Sequence, residues 1–325
     1  MANHMPNLPQ VSNQRPHPKQ GGVALITVLL ITAILVGLTT QILSSHHLLI
    51  NQHQNTFEGE QALQYVLGAE ELARQALYDD AVNSGPGVDH LEELWMQPVA
   101  PFDLDGIGIM QAYIIDINRC FNVNTLADDP SQVNYKRLQR LLGTLQLPLS
   151  LADLVRDWVD PDLTPSGLGA EDSVYQLKDP AYLAANQPML DLSELNLLAD
   201  VDSAHVQLLA QHVCLLPETQ SKINVNTADT MTLALLDAGI SQQDAETITQ
   251  QPRSYQTVVD FVQANPAFTA VQGDLSVTSE YFILVAQAQL NRSRVSLRST
   301  FRRDVNSHQI TLVQRDFAKP FRAQP

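Results

Sequence analysis

Residues 19–43, KQGGVALITVLLITAILVGLTTQIL, join a short basic leader directly to an apolar run. The 21 residues from Val23 to Leu43 are uncharged and mostly apolar. About 20 such residues in a helix cross a bilayer, because each residue adds about 1.5 Å. In a secretory signal peptide the cleavage site follows the apolar region. Here the glycine pair precedes it, so cleavage after Gly22 would leave the apolar run on the mature protein.

This order is similar to the type IV prepilin signal, which is cut after glycine at the cytoplasmic face of the membrane. The resemblance implies that Val23 becomes the new N-terminus and that the apolar run stays as a membrane anchor and assembly helix. Residues 1–22 contain Arg15 and Lys19, and the next basic residue is Arg74. Since basic flanks stay in the cytoplasm, this asymmetry predicts a cytoplasmic leader and an extracytoplasmic remainder.

The helical pattern continues beyond the apolar run. Apolar residues recur at helical spacing as far as about Tyr78, and charged residues appear from Glu58 onward. We therefore predict one N-terminal helix over residues 23–80, which spans the membrane at 23–43 and then becomes amphipathic, so that it packs on a soluble domain. The alternative is a single-span anchor followed by a separate helix.

Strand-like segments flank a long helical region. β-Branched and aromatic residues mark these segments at Leu91–Val99, Gly106–Asn118, Tyr281–Leu290, Val295–Arg302 and Gln309–Arg315. The sequence between the second and the third of them is helical in character. Strands, then helices, then strands again predict a sheet with an insertion.

The fold class that follows is α+β. An antiparallel sheet built from residues 81–120 and 276–317 is interrupted by an inserted all-α domain at 121–275, and the leader at 1–22 is cleaved. The candidate helices of the insertion are Asn134–Leu145, Ser150–Val159, Asp179–Asn186, Leu192–Leu198, Ser203–Cys214, Thr227–Ala238, Gln242–Gln250 and Ser254–Asn265.

Two short repeats lie inside the insertion. Residues 121–125 read FNVNT and residues 223–227 read INVNT, and each copy is followed by helical sequence with a glycine near its end. A polar cap before a helix and a glycine after it indicate helical hairpins. Some helix-hairpin-helix units bind DNA through a Gly-hydrophobic-Gly turn, but here Gly239 and Ile240 are followed by Ser241, and no dense basic cluster lies beside either turn. We therefore predict structural hairpins.

The charge balance also argues against nucleic acid as a partner. The net charge is −16, and without the two basic residues of the leader the chain has 17 basic against 35 acidic residues, or −18. Phosphate binding needs a cationic surface. This balance fits an acidic extracytoplasmic domain that has carboxylates to spare for a hard cation.

An acidic loop is the candidate metal site. Residues 157–172, DWVDPDLTPSGLGAED, combine proline and glycine with carboxylates that lie close in sequence. Ca²⁺ takes about six to eight oxygen ligands and accepts a flexible loop. The candidate ligands are Asp160, Asp162, Glu171 and Asp172. The spacing of an EF-hand is absent, and the alternative is a solvated acidic loop whose carboxylates cap helices.

The chain has two cysteines, Cys120 and Cys214. Outside the cytoplasm they would meet an oxidising compartment, in which disulfides form and persist. The sequence alone does not place them within bonding distance, so a disulfide and two buried thiols both stay open.

Catalytic motifs are absent from the sequence. It contains no H-E-x-x-H, G-x-S-x-G, Walker A or C-x-x-C pattern. The histidines are scattered along the chain. We therefore predict a protein that is not an enzyme.

Several segments together resemble the K-type minor pseudopilins of the type II secretion system. The resemblance is carried by Gly22 with VALITVLL, RCFNVNTL, DWVDPDLTPSGLGAEDSVY, NQPMLDLSEL, SKINVNTADT and SEYFILVAQA, which lie between residues 20 and 315. It implies a pseudopilin sheet with a large inserted α-domain on a long N-terminal helix. It also implies cleavage after Gly22 and N-methylation of Val23 by the prepilin peptidase, and calcium binding in the inserted domain.

The same resemblance implies an assembly role. K-type subunits lie at the pseudopilus tip with the I- and J-type minor pseudopilins, where they initiate a pseudopilus of major pseudopilin on the inner-membrane assembly platform. The tip would contact exoprotein or the outer-membrane secretin. The implied location is the inner membrane of a Gram-negative bacterium, with a single span and a periplasmic C-terminal domain. The alternative hypothesis is a bitopic periplasmic binding protein with an uncleaved anchor and a helical-hairpin module.

Thr27 stands at the fifth mature position, where most pilins and pseudopilins have glutamate. A carboxylate in an apolar layer is costly unless it is paired. In a pilus it can pair with the N-terminal ammonium group of a neighbouring subunit. A subunit without it cannot make that pairing with a subunit above, which favours a place at the tip.

Overall fold

The computed structural model describes residues 21–83, 87–97 and 99–321, so residues 1–20 of the predicted leader lie outside the described residues. The chain divides into one unit that ends at Phe57 and a second that begins at Glu58. The α-helices are α1 (Gly21–Asn83), α2 (Val133–Thr144), α3 (Ser150–Val159), α4 (Asp172–Tyr175), α5 (Ser203–Leu209), α6 (Thr230–Leu235), α7 (Gln242–Thr249) and α8 (Val258–Ala264).

The strands are short in the insertion and long on either side of it. They are β1 (Phe102–Asp103), β2 (Gly108–Asp116), β3 (Phe121–Asn122), β4 (Val213–Cys214), β5 (Ile223–Asn224), β6 (Leu275–Ser276), β7 (Tyr281–Leu290), β8 (Ser293–Arg303) and β9 (Ile310–Asp316). Short 3₁₀ helices occur at Leu94–Met96, Val123–Asp128, Leu192–Leu197 and Pro266–Asp274.

Helix α1 is a single uninterrupted α-helix from Gly21 to Asn83. It ends a few residues beyond the predicted end at residue 80. This continuity favours one long helix over an anchor followed by a separate helix.

One antiparallel sheet contains β1, β2, β7, β8 and β9, in that order. Strands β2 and β7 pair from Gly108 opposite Leu290 to Asp116 opposite Phe282. The chain leaves the sheet after Asp116 and returns at Tyr281, so both termini of the insertion lie at the same end of the β2–β7 pair. The α+β fold with an interrupted antiparallel sheet is confirmed.

One face of α1 covers the sheet. Ala62, Val66, Ala69, Ala73 and Leu77 are buried and recur every three or four residues, as one face of a helix requires. Three of the five are alanines, whose small side chains allow the helix to approach the strands closely. They pack in one cluster with alternate residues of β7, which point to the same face of the sheet because side chains alternate along a strand: Phe282, Leu284, Ala286, Ala288 and Leu290.

The other face of β7 packs towards the insertion. Tyr281, Ile283 and Val285 share a buried cluster with Tyr113 of β2 and with Leu216 of the insertion. Both faces of β7 are therefore buried over residues 281–286, which explains why that part of the strand is apolar instead of alternating, whereas the half-buried Gln287 and Gln289 restore the alternation at its end.

The insertion has a core of its own, and its regular secondary structure is mostly helical. Arg137 and Arg140 join α2 to the end of α6. Arg137 donates a hydrogen bond to the carbonyl oxygen of Leu236 at 3.0 Å, and Arg140 donates one to the carbonyl oxygen of Leu235, the last residue of α6, at 2.8 Å. The short parallel pairs β3–β4 and β5–β6 add strands to the domain that the sequence predicts as all-α.

The two NVNT repeats have the same local structure. The first asparagine of each copy accepts a hydrogen bond from the amide two residues later, at 3.1 Å for Asn122 and 3.0 Å for Asn224. The second asparagine of each copy donates to a backbone carbonyl far along the chain, at 2.9 Å for Asn124 and 3.1 Å for Asn226. All four side chains are buried, so the repeats act as internal joints of the insertion.

Asp116 is the centre of the joint between the sheet and the insertion. Its side chain is fully buried, and its Oδ2 accepts hydrogen bonds from the hydroxyls of Thr227 (2.5 Å) and Ser279 (2.7 Å). Its Oδ1 accepts from the amide of Asn118 at 2.8 Å. Burial raises the pKa of Asp116, and these donors oppose that shift by stabilising the charged form.

The predicted strand at Leu91–Val99 is wrong. The described part of this segment is a turn that leads into the 3₁₀ helix Leu94–Met96. Trp95 and Met96 are neighbours and both are buried, and the Trp95 ring meets the Phe282 ring edge-on with centroids 5.2 Å apart. Neighbouring side chains of a strand point to opposite faces, so two adjacent core residues fit a helical turn better.

Two predicted helices of the insertion are absent or shorter. Asp179–Asn186 is not helical: the Ala184 amide, which a helix would pair with the carbonyl oxygen of Pro180, donates instead to Oδ1 of Asp172 at 3.0 Å, and Asn186 has a left-handed φ of 46°. The helix predicted at Ser203–Cys214 ends at Leu209, and its last two residues form β4 instead. Pairing with β3, which is distant in sequence, overrides the local preference.

Two other helices begin three or four residues later than predicted, at N-terminal caps that the sequence contains. Helix α6 begins at Thr230 because the Asp229 side chain accepts a hydrogen bond from the Thr232 amide. Helix α8 begins at Val258, after a capping box of Thr257 and Asp260. The segment predicted as a helix at Leu192–Leu198 is a 3₁₀ helix.

Candidate functional site

The candidate membrane segment is the start of α1. Val23–Asn83 is long and apolar enough to cross a membrane by length and composition alone, with a mean hydropathy of 2.5 in its most apolar part. The large apolar side chains between Val23 and Leu43 are exposed on the protein. Gly22, the predicted cleavage position, lies in the first turn of this helix.

Thr27 does not leave an unpaired polar group in this apolar segment. Its hydroxyl donates to the carbonyl oxygen of Ala24 at 2.9 Å. Thr32, Thr39 and Thr40 make the same kind of bond within the helix. A hydroxyl that is satisfied by its own helix can be buried in lipid or among other helices at little cost. A glutamate at the position of Thr27 would need a partner from outside the helix.

Two aspartates of helix α3 hold the acidic loop through hydrogen bonds to its backbone. Asp157 accepts hydrogen bonds from the Ser166 amide on both carboxylate oxygens, at 3.0 and 3.1 Å. Asp153, one turn earlier, accepts from the Leu168 amide at 3.0 Å. Gly169 lies so close to this support that a Cβ there would be 1.9 Å from Oδ2 of Asp157. The loop therefore requires glycine at this position.

Three of the predicted ligands converge. Asp160, Asp162 and Glu171 each offer a carboxylate oxygen, and these atoms lie within 4.8 Å of one another. Asp160 is 6% exposed and Glu171 is 3% exposed, whereas Asp162 is open to solvent. Both carboxylate oxygens of Glu171 and Oδ1 of Asp160 are buried without a hydrogen-bond partner. Buried, unpaired carboxylate oxygens are costly, and a hard cation would satisfy them.

The electrostatics of the cluster agree with its geometry. Burial, followed by the charges of the neighbouring carboxylates, raises the pKa of Glu171 to about 7. The same causes raise the pKa of Asp160 to about 6, against the opposing charge of Arg156, whose Nε lies 3.7 Å from Asp160 Oδ2. The cluster holds more negative charge than its surroundings balance.

Asp172 does not join this cluster. Its Oδ1 accepts a hydrogen bond from the Ala184 amide at 3.0 Å, which ties the start of α4 to the following loop. The sequence reasoning also missed Asp153 and Asp157, which shape the loop from α3. Their spacing of four residues places both carboxylates on one face of that helix, and this was the available signal.

Cys120 and Cys214 form a disulfide, with their Cα atoms 5.8 Å apart. Cys120 directly precedes β3, and Cys214 lies in β4, which pairs with β3. The bond joins residues separated by 94 positions at the base of the insertion. It closes the first half of the insertion into a covalent loop.

The chain matches a family model described as type II secretion system (T2SS), protein K, over residues 119–218. It is similar to the type II secretion system protein K of Klebsiella pneumoniae, with 35% identity over 303 residues that cover 86% of this chain and 92% of the relative. The protein of the same name from Pseudomonas aeruginosa is 35% identical over 317 residues, which cover 92% of this chain and 93% of the relative.

A solved structure is similar to this fold. It is a chain of the GspK-GspI-GspJ complex from the type 2 secretion system of enterotoxigenic Escherichia coli, and it aligns with a TM-score of 0.73 and 26% sequence identity. The alignment covers 83% of this chain and 100% of the other.

Proposed function

Because this chain belongs to the family of type II secretion system protein K, we propose that it occupies the pseudopilus tip with the I- and J-type minor pseudopilins and initiates pseudopilus assembly there. The observation that carries this proposal is the likeness to a chain of the GspK-GspI-GspJ complex, with a TM-score of 0.73. In this role the protein acts by anchoring in the membrane and by packing against other subunits.

The N-terminal helix supplies both an anchor and an assembly surface in this proposal. The exposed apolar side chains between Val23 and Leu43 face lipid in the inner membrane before assembly. In the pseudopilus, neighbouring helices replace the lipid around the same side chains. The insertion rises from one end of the sheet, between Asp116 and Tyr281, where it would obstruct a further subunit stacked above. Both features suit a subunit at the tip, with its folded domain in the periplasm.

Assembly with the I- and J-type subunits is tested by co-expression in the parent bacterium and purification in detergent. We expect the full-length chain to purify as a three-subunit complex. Leu72 is on α1 and is 69% exposed, so Leu72→Lys should weaken the complex by placing a charge against a partner helix. Leu177, 86% exposed in the insertion, provides the matched control Leu177→Lys. Failure of the unchanged chain to form the complex, or normal secretion in its absence, would contradict the tip role.

Processing by the prepilin peptidase is the second part of the proposal. Cleavage after Gly22 followed by methylation of Val23 should give an intact mass that lacks residues 1–22 and gains one methyl group. Gly22→Val should block cleavage, because a branched side chain replaces hydrogen at the scissile position, and Gly21→Ala is the neighbouring control. A natural chain that keeps its leader would instead favour the anchored binding protein with an uncleaved span.

Calcium is the cofactor that the acidic cluster fits. Asp160, Asp162 and Glu171 would provide carboxylate ligands, and the unpaired buried oxygens support an ion at this place. The bound ion would neutralise the cluster and fix the loop between α3 and α4. Its contribution is to the stability of the insertion, not to a reaction.

A further inference from the structure

A second group of carboxylates lies where α1 ends against the sheet. Asp80 is near the C-terminus of α1, and Asp89 and Glu93 lie in the segment after it. Each offers a carboxylate oxygen within 4.8 Å of those offered by the other two. These residues are distinct from those of the acidic loop, and nothing in the proposed function uses them.

Asp89 has a buried carboxylate oxygen that lacks a hydrogen-bond partner. This residue is 1% exposed. Its Oδ2 accepts a hydrogen bond from the Ser279 amide at 2.6 Å and another from the guanidinium of Arg303. Its Oδ1 is equally buried and has no hydrogen-bond partner. A buried carboxylate oxygen without a partner carries a free-energy penalty that a bound cation would remove.

Arg303 cannot balance the group alone. Its guanidinium is held in place by Asp89, by the carbonyl oxygen of Ser279 at 2.7 Å and by the ring of Phe282, whose centroid is 4.8 Å away. It also lies 3.8 Å from Oδ2 of Asp80. When all three carboxylates of the group are ionised, as ligands of a cation would be, one guanidinium leaves a net charge of −2. A divalent cation would neutralise that charge.

The titration behaviour points the same way. Burial, followed by the charges of Asp89 and Asp80, raises the pKa of Glu93 to about 8. Burial also raises the pKa of Asp89 to about 6, with a further contribution from buried Asp116. The charged form of Glu93 is therefore disfavoured by its two neighbours in the group, so positive charge is in short supply here.

We propose that Asp80, Asp89 and Glu93 form a second calcium site, which joins the end of α1 to the sheet. The hard oxygen donors and the net charge of the group select a divalent cation of this class. The ion would bridge the end of the helix, the segment that follows it and, through Asp89 and Arg303, the end of β8. It would therefore fix the C-terminal end of the helix that the subunit uses for assembly.

The test uses the full-length protein in detergent, with Ca²⁺ alone as the probe. Asp160→Asn, Asp162→Asn and Glu171→Gln together remove the charges of the three converging ligands of the acidic loop. Isothermal titration calorimetry then counts the ions bound by this loop variant, and thermal unfolding measures the stabilisation that they cause. We expect one bound ion per chain and a higher Tm in calcium than in chelator.

Asp80→Asn with Glu93→Gln, added to the loop variant, should abolish that ion and the Tm increase. Their neighbours Asp79 and Glu92 are exposed, so Asp79→Asn with Glu92→Gln is the matched control and should change neither. In the otherwise natural chain, the substitutions at Asp80 and Glu93 should lower the number of bound ions by one, which provides a second measurement if the loop variant does not fold.

Two results would overturn the proposal. One is a folded loop variant that binds no calcium, which would mean that protons alone neutralise this group. The other is binding that survives the substitutions at Asp80 and Glu93 in both backgrounds. Failure of the acidic loop gives a different result, because the natural chain would then bind one ion that is lost with Asp80 and Glu93 and kept in the loop variant.

Discussion

Replacing Cys120 and Cys214 together by alanine is expected to lower the free energy of unfolding by about 4 kcal/mol. The disulfide closes a loop between residues 94 positions apart, and a cross-link over so long a loop removes much conformational entropy from the unfolded chain. The bond also holds β3 beside β4, a parallel pair of only two residues each. Urea unfolding, followed by the fluorescence of Trp158 in the core of the insertion, measures the loss.

Reduction of the unchanged protein is the control for this variant. A thiol reductant breaks the same bond without removing any side-chain atoms, so both samples should unfold at similar urea concentrations. A difference between them would report the packing of the two sulfur atoms. Peptide mapping that finds free thiols at both positions in the unchanged protein isolated without reductant, or equal stability with and without reductant, would contradict the role of the bond.

Replacing Asp160 by Asn and Glu171 by Gln is expected to abolish the stabilisation of the insertion by calcium at the acidic loop. A ligand that binds only the folded state stabilises it by about 2.7 kcal/mol at 100 times its Kd. Without calcium the natural chain bears the penalty of buried, mutually repelling carboxylates. The variant should therefore be the more stable of the two in chelator and the less stable in calcium. This reversal is measured by thermal unfolding at both conditions.

Glu246→Gln removes one exposed carboxylate of α7 and is the matched control, which should behave as the natural chain does in both conditions. A second comparison is Gly169→Ala, whose Cβ would clash with Asp157 and displace the loop without removing a ligand. It should also lose calcium stabilisation. If the double variant responded to calcium at this loop as strongly as the natural chain, the ligand assignment would be wrong.

The pH dependence of the loop has a definite sign. In the folded, metal-free protein the pKa of Glu171 is raised from 4.5 to about 7, and that of Asp160 from 3.8 to about 6. Between the unfolded and folded values the folded state holds protons that the unfolded chain has lost, so stability without calcium falls as the pH rises through this range. Calcium competes with these protons. Its affinity for the loop should fall as the pH is lowered from about 7 to 5.

The sequence predicted the elements that depend on local pattern. Helix α1 follows from continuous apolar and then amphipathic periodicity, and β7 has the same bounds in the prediction and in the structure because its aromatic and β-branched start, residues 281–285, is enough to identify it. The helix predicted at Asp179–Asn186 is absent for a reason outside that segment, since Asp172 takes the hydrogen bond of the Ala184 amide.

The acidic loop was predicted in part. Asp160, Asp162 and Glu171 are close in sequence, and the loop brings them together. Asp172 was included by proximity alone, although helical geometry turns its carboxylate towards Ala184. The sequence does not predict the group of Asp80, Asp89 and Glu93, although the three are close in sequence. The burial of Asp89 depends on contacts with distant residues, and Arg303 is more than 200 residues away in the chain.

The sequence by itself determined the position of the apolar run after Gly22, the absence of a carboxylate at Thr27 and the order of helix, strands, insertion and strands, because each is a property of neighbouring residues. Only the tertiary structure decided that Cys120 meets Cys214, that β4 replaces the end of a helix, and that Asp116 ties the second NVNT repeat to the sheet. These features need residues about 100 positions apart to meet. Burial makes such pairing necessary, because a polar group removed from water costs free energy unless the fold brings it a hydrogen-bond partner.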